Sequence, residues 1–273
     1  MLSDPRVAGM LQLIKAVLRP PAGAGRISLA LGMGAVTHLL FAAGVLAMII
    51  TMFHGMSASF GQVPQPWAWA VNLLLIIQFP LTHSLLLSKR GGRWLSRLVP
   101  GAHGGRLAST TFALIASIQL LILFTLWTPS GIIWWQAQGT IFRVICGAYA
   151  LSWLLLMKAT FDAGIEVQSG ALGWMSLLAK ITPRFPDMPT KGLFRHIRQP
   201  IYVAFALTLW TVPVWTPDQL LLAISYTAYC LLAPRLKERR FSRRYGERFA
   251  RYRAAVPYAI PRIRSGSGDK YAE

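Results

Sequence analysis

Apolar residues fall in long runs separated by short polar stretches, and the runs carry helical spacing rather than strand alternation. Residues 27–53, 67–87, 107–127 and 140–161 are each long enough to cross a hydrocarbon core, which takes about 20 helical residues. Two shorter runs, 200–215 and 217–234, follow and are joined by a tight turn. Pro200 and Pro217 suit first helical positions, where the missing amide is not needed, and Thr216 suits the cap before the second. The pattern predicts an all-α integral membrane protein of about six spans with N- and C-termini on one side. A short C-terminal hairpin and a basic amphipathic surface helix complete it.

The segments between the runs divide by charge. Residues 54–66 and 129–139 hold no Lys or Arg, whereas 89–106, 162–199 and everything beyond Arg235 are basic. Apart from Arg143 and Lys158, every basic residue lies on one side, as the positive-inside rule requires. A formal charge of +19 therefore reports membrane lipid rather than nucleic acid, and 54% hydrophobic residues exclude a soluble domain of 273 residues. A bacterial inner membrane is the expected location, with the basic side in the cytoplasm.

One membrane domain is expected. It has an interfacial lead (1–26), a four-span scaffold (27–161), a lid-like loop with a short interfacial helix (162–190), a site-bearing hairpin and surface helix (191–261) and a disordered tail (262–273). Cys146 and Cys230 lack metal-ligand spacing and read as packing residues, so no metal is expected. His38 reads as a packed side chain bonded to a neighbouring helix. His83 and Ser84, one turn from the basic end of their span, either line a cavity or bond helix to helix. No strand followed by a Gly-rich turn is present, so a small-molecule site would have to be built from helix ends.

Polar residues from both ends of the hairpin meet at the basic face. Arg198-Gln199-Pro200-Ile201-Tyr202 enters it and Glu238 leaves it. Gly246-x-x-Phe249-x-x-Tyr252 and Val256-Pro257-x-x-x-Pro261 follow. This register resembles the S-adenosyl-L-methionine (SAM)-binding half of the isoprenylcysteine carboxyl methyltransferase-like membrane enzymes. With Ala159-Thr160-Phe161-Asp162, Gln168 and the run from Gln78 to Ser84, it is most similar to the methanethiol S-methyltransferase branch. The family usually has His where this chain has Gln199, and often a pair of carboxylates where it has Lys237-Glu238.

The resemblance implies SAM as the cofactor, bound by Arg198, Gln199, Pro200, Tyr202, Glu238 and Tyr252. Arg198 would fork onto the cofactor carboxylate and Glu238 would accept from its ribose or amino group, while the tyrosines pack on adenine or face the sulfonium. His196, three residues before Gln199, is a candidate to supply the family's imidazole if the helix extends backward, so His196 and Arg198 are the catalytic candidates. His83 and Asp162 are candidates for the substrate cavity. The acceptor is expected to be a small or lipophilic thiol. The alternatives are a lipid-like carboxylate or amine, and a non-catalytic membrane protein with a decayed site. Arg198 as a snorkelling cation and Glu238 as a plain salt-bridge partner remain open readings.

Overall fold

The computed structural model describes residues 5–99 and 101–261; the expected tail at 262–273 lies outside them. The described residues are mostly helical. In order it forms α1 (Pro5–Leu18), α2 (Ala24–Phe53), α3 (Trp67–Leu86), α4 (Lys89–Leu98), α5 (Gly104–Leu126) and α6 (Gly139–Asp162). Two short helices, α7 (Ile165–Gln168) and α8 (Ala171–Leu178), precede the hairpin α9 (Pro200–Trp210) and α10 (Pro217–Tyr245), and α11 (Glu247–Ala255) ends the described chain. Two-residue strands, β1 (Trp135–Gln136) and β2 (Val214–Trp215), pair antiparallel.

Among the described residues four helical stretches are long and apolar enough to cross a membrane, at 24–53, 67–86, 101–126 and 139–162. The six expected spans reduce to these four plus the hairpin. With 11 residues, α9 is roughly 16 Å long. The fourth span keeps its apolar outer face, with Val144, Leu151, Leu154 and Met157 exposed for lipid to cover.

The longest pairing in the bundle is α2 on α5. It is close because Gly44 faces the Ser117 carbonyl, where a Cβ would sit at 3.1 Å; small residues let membrane helices approach. Polar groups inside the bundle are bonded helix to helix. Gln119 donates to the Gln78 side chain at 2.7 Å, and the Asn72 amide exchanges bonds with the backbone of Thr128. Trp174 of α8 donates to Nε2 of His38 at 3.0 Å, so His38 is the helix-bonded side chain expected of it.

The three connections without Lys or Arg gather at one end. Trp135 pairs with Trp215, Gly61 N–H bonds the Trp127 carbonyl at 3.0 Å, and the Thr216 hydroxyl bonds the Gly55 carbonyl at 2.6 Å. Beneath them Met52, Phe124, Trp127, Leu209, Leu222 and Tyr226 form a buried core. Asp218, in the first turn of α10, ties the knot: its carboxylate accepts from the Trp127 indole at 3.1 Å and from Ser130 N–H at 2.9 Å.

Two expectations are corrected. The second run of the hairpin does not end at Pro234, because α10 continues to Tyr245 and absorbs most of the predicted surface helix, leaving only α11 beyond it. Residues 235–244 are good helix formers, and a proline bends a helix without obliging it to stop. Nor does the helix in the 162–190 segment cover the hairpin. α8 is packed between α2 and α5, with Leu177 fully buried and Gly173 against Thr110, because its run of Leu172, Leu177 and Leu178 needs an apolar partner.

Candidate functional site

The motif residues converge at the opposite end from this knot. Pro200 starts α9, and the residue before a proline is driven out of the helical region. Gln199 sits at φ −124°, ψ 48°, preceded by a 3-10 turn over Gly192–Arg195. The helix therefore does not extend back to His196, which is exposed in the turn and shares no helical face with Gln199. The N–H groups of Arg198 and Gln199, outside both helix and turn, are taken by the carbonyls of Pro257 and Tyr258 at 2.9 and 3.1 Å. The Val-Pro-Tyr segment after α11 is thus a backbone strap laid along the entry to α9.

Glu238 closes the same corner from α10. Its Oε1 accepts from Arg198 Nε and from Gln199 Nε2, both at 2.8 Å. Arg198 Nη1 donates to the carbonyls of Arg253, at 3.0 Å, and Val256. Arg198 and Glu238 are 11% and 14% exposed, so this is an interior pair, not a rim one. The plain salt-bridge reading and the cofactor-clamp reading thus fall on the same two residues, and Nη2 is the guanidinium nitrogen these contacts do not use. Gln199 is 2% exposed, and its Oε1 is buried without a hydrogen-bond partner. Tyr252 of α11 donates to the Phe194 carbonyl at 2.7 Å.

Asp162 lies at the end of α6 and lines neither of the two spaces beside Gln199. It is ion-paired with Lys158 and accepts from Leu193 N–H at 2.8 Å, which anchors the turn that leads into Arg198. Gly192 makes this possible: its φ is +61°, and a Cβ there would overlap the Asp162 carboxylate. Gly192→Ala is therefore expected to cost about 1–3 kcal/mol, from left-handed strain plus loss of the carboxylate contact. A thermal melt of the detergent-purified variant checks this; an unchanged midpoint contradicts it.

His83 lines neither of the two spaces beside Gln199. It packs between Phe79 and Phe112, with ring centroids at 5.0 and 4.8 Å, and its Nδ1 is buried without a partner. Its neighbour Ser84 bonds Tyr229 of α10, so this pair joins α3 to the hairpin.

Two spaces adjoin Gln199. The larger, of about 250 Å³, is an apolar groove between α9 and α10 lined by Tyr202, Ala206, Trp210, Cys230, Leu231 and Tyr258. The smaller, of about 10 Å³, lies among Pro189, Phe194, Arg198, Lys237, Glu238 and Tyr252. Besides Asp162 at its start, the 162–190 segment reaches the site through its end, where Pro189 enters this wall and Asp187 pairs with Arg248 of α11.

Sequence reasoning missed Phe194, Phe241 and Tyr258 as members of the site, and treated Lys237 only as a departure from the family pattern. The Lys237 ammonium is ringed by Phe194, Tyr202 and Phe241 at 5.5–5.7 Å, and Arg198 lies over Tyr258 at 5.5 Å. The signal was available in part, since Phe241 is one turn beyond Lys237 on the same helix face. The donor set fits SAM. An unengaged guanidinium nitrogen, a carboxylate, an orphaned amide oxygen and flat rings match its carboxylate, ammonium or ribose, adenine and sulfonium.

Methanethiol S-methyltransferase 2 of Bradyrhizobium diazoefficiens is 30% identical to this chain over 199 residues, 71% of this chain and 73% of that protein. Methanethiol S-methyltransferase of Pseudomonas deceptionensis is 27% identical over 206 residues, covering 75% and 77%. Nurim of Sus scrofa is 31% identical over 182 residues, covering 62% and 65%. No family model and no solved structure matches the chain.

Proposed function

Because this chain belongs to the methanethiol S-methyltransferase branch of the isoprenylcysteine carboxyl methyltransferase-like membrane enzymes, we propose that it methylates a small or lipophilic thiol with SAM, giving the thioether. The observation that carries this reading is the meeting of Arg198, Gln199 and Glu238 at one corner beside an apolar groove of about 250 Å³. Bound SAM would supply an electrophilic methyl group on a sulfonium. Everything else is the task of the chain.

In this reading Arg198, held by Glu238 and the strap, keeps Nη2 for the cofactor carboxylate, and Glu238 and Gln199 Oε1 accept from its ammonium or ribose. Tyr202 forms part of both the cage of rings and the groove wall, so it lies between donor and acceptor. The groove walls exclude water and position the acceptor for in-line displacement. Arg198 and Arg240 favour the thiolate over the thiol. His196 is the proposed proton acceptor. Its test is His196→Ala, which should lower kcat; an unchanged kcat removes it from the mechanism.

The basic end is read as cytoplasmic, in a bacterial inner membrane, with lipids around the spans and no nucleic-acid partner. A lipid-like acceptor is the second reading. It is favoured by the exposure of Leu207 and Leu231 along the groove, which leaves that side facing acyl chains.

Calorimetric titration of SAM into the detergent-purified chain, followed by incubation with methanethiol and detection of dimethyl sulfide, tests both. Saturable binding and product are expected. Binding without thioether, but with a methylated prenylcysteine, would select the second reading, and absence of binding would sink both.

A further inference from the structure

We propose that Phe194, Tyr202 and Phe241 form the seat of a methylsulfonium group, held in the ligand-free chain by the ammonium of Lys237. The proposal rests on the SAM reading above and deepens it. Three rings from three elements, the 3-10 turn, α9 and α10, surround one cation at 5.5–5.7 Å. A convergent aromatic cage is the chemistry that recognises sulfonium and quaternary ammonium groups. The cage lies beside Arg198 and Glu238, which would take the charged ends of an amino-acid portion.

Lys237 is a poor permanent guest. An ammonium carries three N–H groups that require acceptors, and its hydration is strong. A sulfonium has no donor to satisfy. The Lys237 pKa is pushed down to about 8, first by desolvation, with Arg240 and Arg198 adding to the fall and Glu238 opposing it. Tyr202 from α9, Tyr252 from α11 and Tyr258 of the strap also face this corner, and Arg240 interacts with both Tyr202 and His83 of α3.

The second observation is size. About 10 Å³ remains in this corner, far below the several hundred a cofactor-sized ligand fills. Of the side chains in its wall, Arg198, Gln199, Glu238 and Tyr252 are tied by hydrogen bonds. Lys237 is the long flexible one that can swing out to water. Its departure opens the cage and relieves a desolvated charge at once. The neutral thioether product offers the rings no charge, so the cage discriminates donor from product.

The linkage has a definite sign. Lys237 in the cage loses its proton near pH 8, whereas Lys237 released to water keeps it until about pH 10.4. Ligand binding at pH 9 therefore takes up close to one proton, and affinity falls as pH rises from 8 to 10.

The experiment is calorimetry at pH 9 in two buffers of different ionisation heat. Full-length wild type, Lys237→Ala and Phe241→Leu are titrated with SAM and with S-adenosyl-L-homocysteine. Wild type is expected to take up close to one more proton than Lys237→Ala on binding SAM. Lys237→Ala should bind SAM about tenfold more tightly. Phe241→Leu should weaken SAM about tenfold and the neutral thioether less than about threefold. Equal proton uptake in wild type and Lys237→Ala overturns the proposal, as does equal weakening of both ligands by Phe241→Leu. A folded wild type that binds neither ligand sinks the SAM reading itself, which separates the two failures.

Discussion

Glu238→Ala is expected to lose SAM binding by on the order of a hundredfold and to lower stability by about 3 kcal/mol. One carboxylate oxygen serves both Arg198 Nε and Gln199 Nε2 at 2.8 Å. Removing it leaves a guanidinium and an amide without their partner in a corner only 11–14% exposed. Breaking an interior ion pair from one side costs about 3–5 kcal/mol, and the partial exposure here places it at the lower end. Loss of the hydrogen bonds to the ligand's charged group adds the binding defect, at about 1.5–3 kcal/mol. Glu238→Gln separates the two effects, because the amide oxygen still accepts from both donors while the charge is gone. It should keep most of the stability and still lose about tenfold in affinity. A wild-type melting temperature and wild-type affinity in Glu238→Ala would show that the corner is neither structural nor functional.

Asp218→Ala should be the complementary case, with a large loss of stability and an intact site. The carboxylate is 4% exposed and accepts from the Trp127 indole, Ser130 N–H and the Ser130 hydroxyl. Each buried donor left unpaired costs about 1–3 kcal/mol, so a total of about 3–5 kcal/mol is expected. It lies at the end of α10 away from Glu238, so the fraction that remains folded should bind SAM with wild-type affinity. The check is a thermal melt paired with a titration on the same preparation. A shifted affinity would mean that the knot of connections around Asp218 and the site are coupled through α10.

Hydropathy located the four long spans because it reports contact with lipid, and it failed at Pro234 for the same reason. Leu236, Phe241 and Tyr245 continue a helix, but their neighbours are Arg and Lys, so the apolar signal stops where the hydrocarbon would and the helix does not. The motif spacing brought Arg198, Glu238 and Tyr252 into one argument. It could not show that the strap supplies backbone carbonyls to Arg198, since a carbonyl has no letter in a sequence. Asp162 was legible as a polar residue near the site but not as an anchor for the turn at Gly192. That reading needs the left-handed φ of the glycine. Asp218 carried the weakest signal, a single carboxylate at the head of an apolar helix. Its donors, Trp127 and Ser130, are some 90 residues earlier in the chain.

The strap also fixes an order of events in biosynthesis. The amides of Arg198 and Gln199 wait for the carbonyls of Pro257 and Tyr258, and the Arg198 side chain waits for those of Arg253 and Val256. During translation the long spans and the hairpin are therefore synthesised before the groups that complete the site. The nascent protein is anchored in its membrane while still chemically silent. A chain interrupted after α10 would be an inserted but inert scaffold rather than a leaky enzyme.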